Sequence, residues 1–233
     1  MTRVYVLCEG QSEESFCGGL LAPMLQSKHI ILIPIICLTK RSKDGKKHRG
    51  GASAYGKIRN ELLTLCRQHP HEFVTMMFDY YRLPNDTPGI SSIPGDSAID
   101  KVQYLEERVG QDIGSRNFIP NIVLHEFEGL LFSSPDAFAY CGLSENNIRK
   151  LQHIRDNHDS PEHIDDGAST APSKRILAIH PRYNKVLDGT AIALDIGLEK
   201  ILGECRHFSA WVKKIEGLRD FTPRTTQSIP TDQ

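Results

Sequence analysis

The sequence predicts an α/β fold: a mainly parallel sheet with helices on both faces and a helical C-terminal part. Three observations predict it. Short, largely apolar runs recur at residues 4–8, 30–38 and 73–78, as expected of strands buried on both faces. Segments of helical periodicity separate them, which parallel strands require of their crossovers. The stretch 198–218 places Leu198, Ile201, Leu202, Cys205, Phe208, Trp211, Ile215 and Leu218 on one helical face.

Residues 3–8 read as the first strand. Residues 12–26 read as a helix, with Ser12 as N-cap and Glu13 and Glu14 in the first turn, where the helix dipole favours anions. "IILIPIICL" (30–38) reads as a second buried strand. It is too short to span a bilayer and carries a proline. Residues 53–68 read as a helix with Ile58, Leu62, Leu65 and Cys66 on one face. "FVTMMFDYY" (73–81) is a third strand ending in Asp79, and 83–95 is a loop rich in Pro and Gly. Residues 97–113 are helical. "FIPNIVLHEFEGLLF" (118–132) opens as a strand whose later part can turn helical, and 134–172 is polar and turn-rich, with room for short helices. The expected organisation is a catalytic core over 1–133, a helical C-terminal subdomain over 134–220 packed on that core, and a polar tail over 221–233 with no expected order.

A chain of 233 residues with 39% hydrophobic content can bury one core. Its net charge of −1 gives no global pull toward a polyanion. The N-terminus runs straight into a strand, so neither a signal peptide nor a membrane span is expected. Six scattered cysteines form no CxxC pair, which argues against a zinc ribbon and for reduced thiols in a cytoplasmic protein.

Acids close three of the apolar runs: Glu9 and Glu13 after the first, Asp79 after the third, Glu126 and Glu128 after the fourth. In a parallel sheet ligands bind beyond the carboxyl ends of the strands. Carboxylates gathered at one sheet edge repel one another, and hard divalent cations, Mg²⁺ or Mn²⁺, relieve that repulsion. Two such ions can activate a nucleophile and stabilise the leaving oxygen of a phosphodiester. Each acid also has a plainer reading. Glu13 can simply favour a helix start, and Asp79 can be a strand-end partner of Arg82. Glu126 and Glu128 alternate, so in a strand they would point the same way.

Other residues carry two readings as well. Residues 40–49 hold six Lys or Arg and one Asp, a local excess of +5. This is either a solvated loop or an arm in which Lys40, Arg41, Lys46, Lys47 and Arg49 meet nucleic-acid phosphates. Tyr55, Tyr80 and Tyr81 can stack on bases or pack locally. His125 can ligate metal, act as an acid or base, or be structural. "STAPSKRI" (169–176) puts Lys174 and Arg175 at a helix start, where an incoming anion would help explain them; Lys174 is the residue expected to stabilise phosphate charge. His153, His158 and His163 fit no zinc signature and read as loop residues.

Glu9-Gly10 after the first strand, the ExxxE spacing of Glu9 and Glu13, and the Asp closing a later strand resemble the Toprim fold of topoisomerases, primases and OLD-type nucleases, on its OLD side. More narrowly, "CEGQSEESF", "GGASAYGKI", "FVTMMFDYYRLP", "LHEFEGLLF", "APSKRI" and "HFSAWVKKIEGL" resemble domain-of-unknown-function family 4276 over nearly the whole chain. The resemblance implies a Toprim-like, Rossmann-like sheet and a metal-dependent nuclease, the effector of a prokaryotic anti-phage module beside an ABC-type ATPase. A common Toprim strand ends in DxD; here it reads Asp79-Tyr80-Tyr81, so either one metal ligand comes from elsewhere, with Glu126 or Glu128 able to supply it, or only one ion binds tightly. No GxxxxGK[ST] occurs, so any ATP dependence must come from the partner.

The leading expectation is therefore a Mg²⁺- or Mn²⁺-dependent endonuclease acting on DNA or RNA. Glu9, Glu13, Asp79 and Glu126 act in catalysis with Lys174, and Glu128 joins the four acids as a metal ligand. Two alternatives stand beside it: a non-catalytic nucleic-acid-binding or regulatory subunit of an ATPase complex, and a metal-dependent phosphoesterase of small nucleotides. Homo-oligomerisation is left open.

Overall fold

The computed structural model describes residues 1–37, 54–95, 97–164, 167 and 170–220. The basic run 40–49 and the tail 221–233 lie outside the described residues.

The sheet is built from β1 (Thr2–Cys8), β2 (Ile30–Ile36), β3 (Phe73–Asp79) and two short segments, β4 (Phe118–Ile119) and β5 (Ile122–Val123). Its order is β2-β1-β3-β4, with β5 also on β3, and every pairing is parallel. β4 and β5 lie along β3 one after the other, at Val74–Thr75 and at Phe78–Asp79. Pro120 has no N–H to give the ladder between them. The Asn121 side-chain amide donates to the Met76 carbonyl at 3.0 Å instead. The chain moves outward from β1 to β2, then returns to place β3 on the other side of β1. The β1/β3 boundary is therefore the topological switch point, where such sheets bind ligands beyond the strand ends.

Strand alternation builds a core on each face. Leu7, Val74, Met76 and Phe78 meet α3 (Ala54–Gln68) and α4 (Ala98–Ile113) through Ile58, Leu62, Val102 and Leu105. On the other face Val4, Val6, Cys8 and Met77 share a cluster with Phe16, Leu25, Phe127 and the C-terminal helices. A fully buried large apolar side chain contributes about 1.5–3 kcal/mol. Trp211 of that cluster also donates from Nε1 to Thr75 Oγ1 at 2.9 Å, which pairs a buried hydroxyl of the central strand. Asp79 has the strand parity of Thr75 and Met77, so it points to this same face.

The helix expected over 12–26 runs from Gln11 to Ser27 in three parts: α1 (Gln11–Phe16), a π turn (Cys17–Leu21) and α2 (Ala22–Ser27). Its N-cap is Gly10, with Ser12 buried inside the first turn, not capping it. In the π turn the Ala22 N–H reaches back to the Cys17 carbonyl. The wider turn lies where Pro23 would otherwise crowd the Gly19 carbonyl four residues earlier.

The stretch 118–132 is not one strand. His125 takes a left-handed φ of 58°, Phe127 is helical at −48°, −39°, and α5 (Glu128–Leu131) follows. Downstream lie α6 (Glu145–Asp156), α7 (Pro172–Ile179), α8 (Leu187–Ile196), α9 (Leu198–Glu204) and α10 (Arg206–Glu216). The helix expected over 198–218 is thus two. It breaks at Cys205, and buried Glu162 accepts the His207 and Phe208 N–H groups at 2.9 and 2.8 Å, capping α10. Among the described residues no helix is long and apolar enough to cross a membrane.

Candidate functional site

Four carboxylates meet at the switch point. The Glu9 N–H donates to the Met77 carbonyl at 3.0 Å, which carries β1 pairing one residue past the strand. Its Oε2 accepts the Asp79 N–H at 3.1 Å. Gly10 is extended at φ −157°, so it is not there for an unusual turn; a Cβ on it would stand 3.4 Å from Glu13 Oε2. The first turn of α1 carries the Glu13 carboxylate inward, where it is buried. Asp79 is fully buried, and its Oδ1 accepts the Phe127 N–H at 2.8 Å. Glu128, also fully buried, opens α5.

The cation among them is Lys185, from the segment between α7 and α8. Its Nζ is 3.0 Å from Glu128 Oε2, 3.3 Å from Asp79 Oδ2 and 3.9 Å from Glu13 Oε1. Arg82 stands farther out, its Nε 3.9 Å from Glu9 Oε1 and its side chain 62% exposed. Burial pushes the Glu9 carboxyl up, helped by the Glu13 charge. Burial pushes Asp79 well up; Lys185 opposes this, and the neighbouring carboxylates add to it. Glu128 is raised by burial against the pull of Lys185. For Lys185 burial works against the charge, but Asp79, Glu128 and Glu13 outweigh it and hold the ammonium above its ordinary range. Glu9, Gly10, Glu13, Arg82 and Lys185 line one cleft of about 470 Å³ together with Phe78 and Ile58.

The remaining sequence candidates among the described residues do not line this cleft, although the charge of Glu126 still acts on Glu128. Glu126 does not point with Glu128, because the helical Phe127 between them breaks the strand alternation. Its Oε2 accepts the Ser173 N–H at 2.9 Å and so occupies the start of α7. Lys174 at that helix start is exposed, and Arg175 donates to the Thr170 carbonyl at 2.6 Å. The anion at this helix start is therefore the internal Glu126 carboxylate. Tyr55 is buried and its hydroxyl bonds Asp112 at 2.9 Å, which closes its ring to a base. Tyr81 is 43% exposed. His125 is buried beside Tyr80, ring edge to face. Sequence reasoning missed Lys185. The available signal was Asn184 and Asp188 around it, a pattern that opens a helix.

Among the described residues, no group of three or more His, Cys, Asp or Glu side chains is already disposed to hold a metal ion. The donor chemistry nevertheless fits a hard cation: every acid offers carboxylate oxygen, and Glu128 Oε1 is buried with no hydrogen-bond partner. An orphaned buried carboxylate oxygen costs desolvation that an ion would offset.

A family model described as a domain of unknown function, DUF4276, matches residues 8–216. Comparison with curated proteins and with solved structures gives no match.

Proposed function

The chain belongs to the DUF4276 family, and from the geometry of its site we propose that it is a metal-dependent, Toprim-type nuclease hydrolysing nucleic-acid phosphodiesters. One observation carries this reading: Glu9, Glu13, Asp79 and Glu128 converge at the β1/β3 switch point beside a cleft that also holds two cationic side chains. Those four acids would hold Mg²⁺ or Mn²⁺, and the bound ion would supply Lewis-acid activation of water and charge neutralisation at the phosphate. The chain's own residues do the rest. The Asp79 and Phe127 N–H groups fix the Glu9 and Asp79 carboxylates in place. Arg82, exposed over the cleft, meets the substrate phosphate, and Lys185 balances the acids. The family resemblance extends the proposal to an effector of an anti-phage module with an ABC-type ATPase partner.

A second reading has its own support. One ammonium already pairs with three of the acids, as expected of a non-catalytic nucleic-acid-binding or regulatory subunit. Incubating the purified chain with DNA and with RNA, in Mg²⁺, Mn²⁺ or chelator, separates the two. Cleavage that needs the metal and stops with chelator is the expected result. Salt-steep binding of long nucleic acid without cleavage in any metal supports the second reading, and turnover confined to mononucleotides narrows the enzyme to a small-nucleotide phosphoesterase.

A further inference from the structure

Lys185 occupies the place a metal ion would take. Its three carboxylate neighbours, Glu13, Asp79 and Glu128, are three of the four acids assigned to the ion above. An ammonium and a divalent cation compete for those oxygens, because like charges a few ångströms apart oppose each other. The ammonium does not saturate the cluster either: Glu128 is 0% exposed, its carboxylate is turned into the cluster through Oε2, and Oε1 has no hydrogen-bond partner.

The backbone that carries Lys185 is held from both sides. Asn184 Oδ1 accepts the Val186 and Leu187 N–H groups, both at 3.1 Å, and Asp188 Oδ2 accepts the Asn184 N–H at 2.7 Å. This is a reciprocal cap on α8. Tyr183 is buried just before it, with its hydroxyl 2.8 Å from where a Cβ on Gly189 would stand, so a larger residue at 189 would have to push the Tyr183 ring aside. The main chain at 183–189 is therefore fixed. What can move is the four-carbon stem of Lys185, whose side chain is 33% exposed and lines the cleft.

We propose that Lys185 is a resident counterion which a divalent cation displaces, so that metal binding sends its ammonium from the acids into the cleft, where with Arg82 it takes a substrate phosphate. Resting on the metal reading of this site, the exchange has an order of events: in the free protein the lysine partly offsets the charge of the acids, and it becomes available to phosphate only once metal has bound.

Two measurements on the purified full chain test it. In calorimetric titration with Mn²⁺, Lys185→Met is expected to bind the ion at least about tenfold more tightly than the parent, because a competing charge is gone. In the parent, acetylation of Lys185, read by peptide mass spectrometry, is expected to speed up about tenfold in saturating Mn²⁺ as the ammonium leaves its carboxylates. Lys200, exposed and paired with Glu204, should be unchanged and serves as the internal reference. The labelling arm decides alone if the Met variant does not fold. Equal or weaker Mn²⁺ affinity in the variant, or Lys185 labelling indifferent to bound Mn²⁺, overturns the exchange while leaving the metal site standing. Absence of Mn²⁺ binding to either protein overturns both the exchange and the metal reading.

Discussion

Asp79→Asn is expected to abolish cleavage while leaving the fold at least as stable as the parent. Asn keeps an Oδ1 that can accept the Phe127 N–H and so preserves the contact at 2.8 Å that joins β3 to the start of α5. What it removes is a charge that burial and three neighbouring carboxylates disfavour. A carboxyl raised in the folded state costs stability as pH rises from the ordinary carboxylate value through the raised one, so the cost is present at neutral pH and absent in acid. The variant should therefore melt at the same temperature or higher at pH 7, with any gain shrinking as the pH falls toward 4. Losing a ligand charge from the metal site should lower the cleavage rate by about three orders of magnitude, or roughly 4 kcal/mol of barrier. Glu126→Gln is the matched control. It keeps an oxygen for the Ser173 N–H and is expected to cleave at the parental rate. Parental activity in Asp79→Asn would remove Asp79 from the chemistry.

Lys185→Met should have the largest effect on stability. It leaves Glu13, Asp79 and Glu128 buried without their cation. Removing one partner of a buried ion pair costs about 3–5 kcal/mol, and the lower end applies because the lysine side chain is one-third exposed. The sign with pH follows from both groups. The parental ammonium, raised above its ordinary 10.5, contributes fully below that value and is lost only as pH rises through its folded value. The variant's stranded carboxyls relieve themselves by taking up protons. The stability gap measured by urea titration should thus be widest near neutral pH and narrow as the pH falls toward 5. A gap independent of pH would mean that Lys185 acts only through packing of its stem.

Much of the site was legible because strand ends are local. The apolar runs that close at Cys8 and Phe78 fix where Glu9 and Asp79 emerge, and a parallel sheet sends both to one edge. Lys185 was not legible. Lys174 and Lys185 both sit near helix starts, and choosing between them depends on which start is already filled. Glu126 fills that of α7 from 47 residues away in sequence. The divergence of Glu126 and Glu128 was hidden for a related reason: the left-handed φ at His125 and the helical Phe127 undo the alternation that i, i+2 spacing implies. The break at Cys205 leaves the apolar periodicity of 198–218 intact, so only the capping carboxylate of Glu162 reveals it.

The most direct measurement of the central claim, that these acids form a divalent metal site, is anomalous scattering from a crystal of the parent protein soaked in Mn²⁺. Manganese density is expected within ligating distance of carboxylate oxygens from Glu9, Glu13, Asp79 and Glu128, with the Lys185 ammonium moved off them. Density absent from the β1/β3 edge, with Lys185 still seated on Glu128 and Asp79, would contradict it.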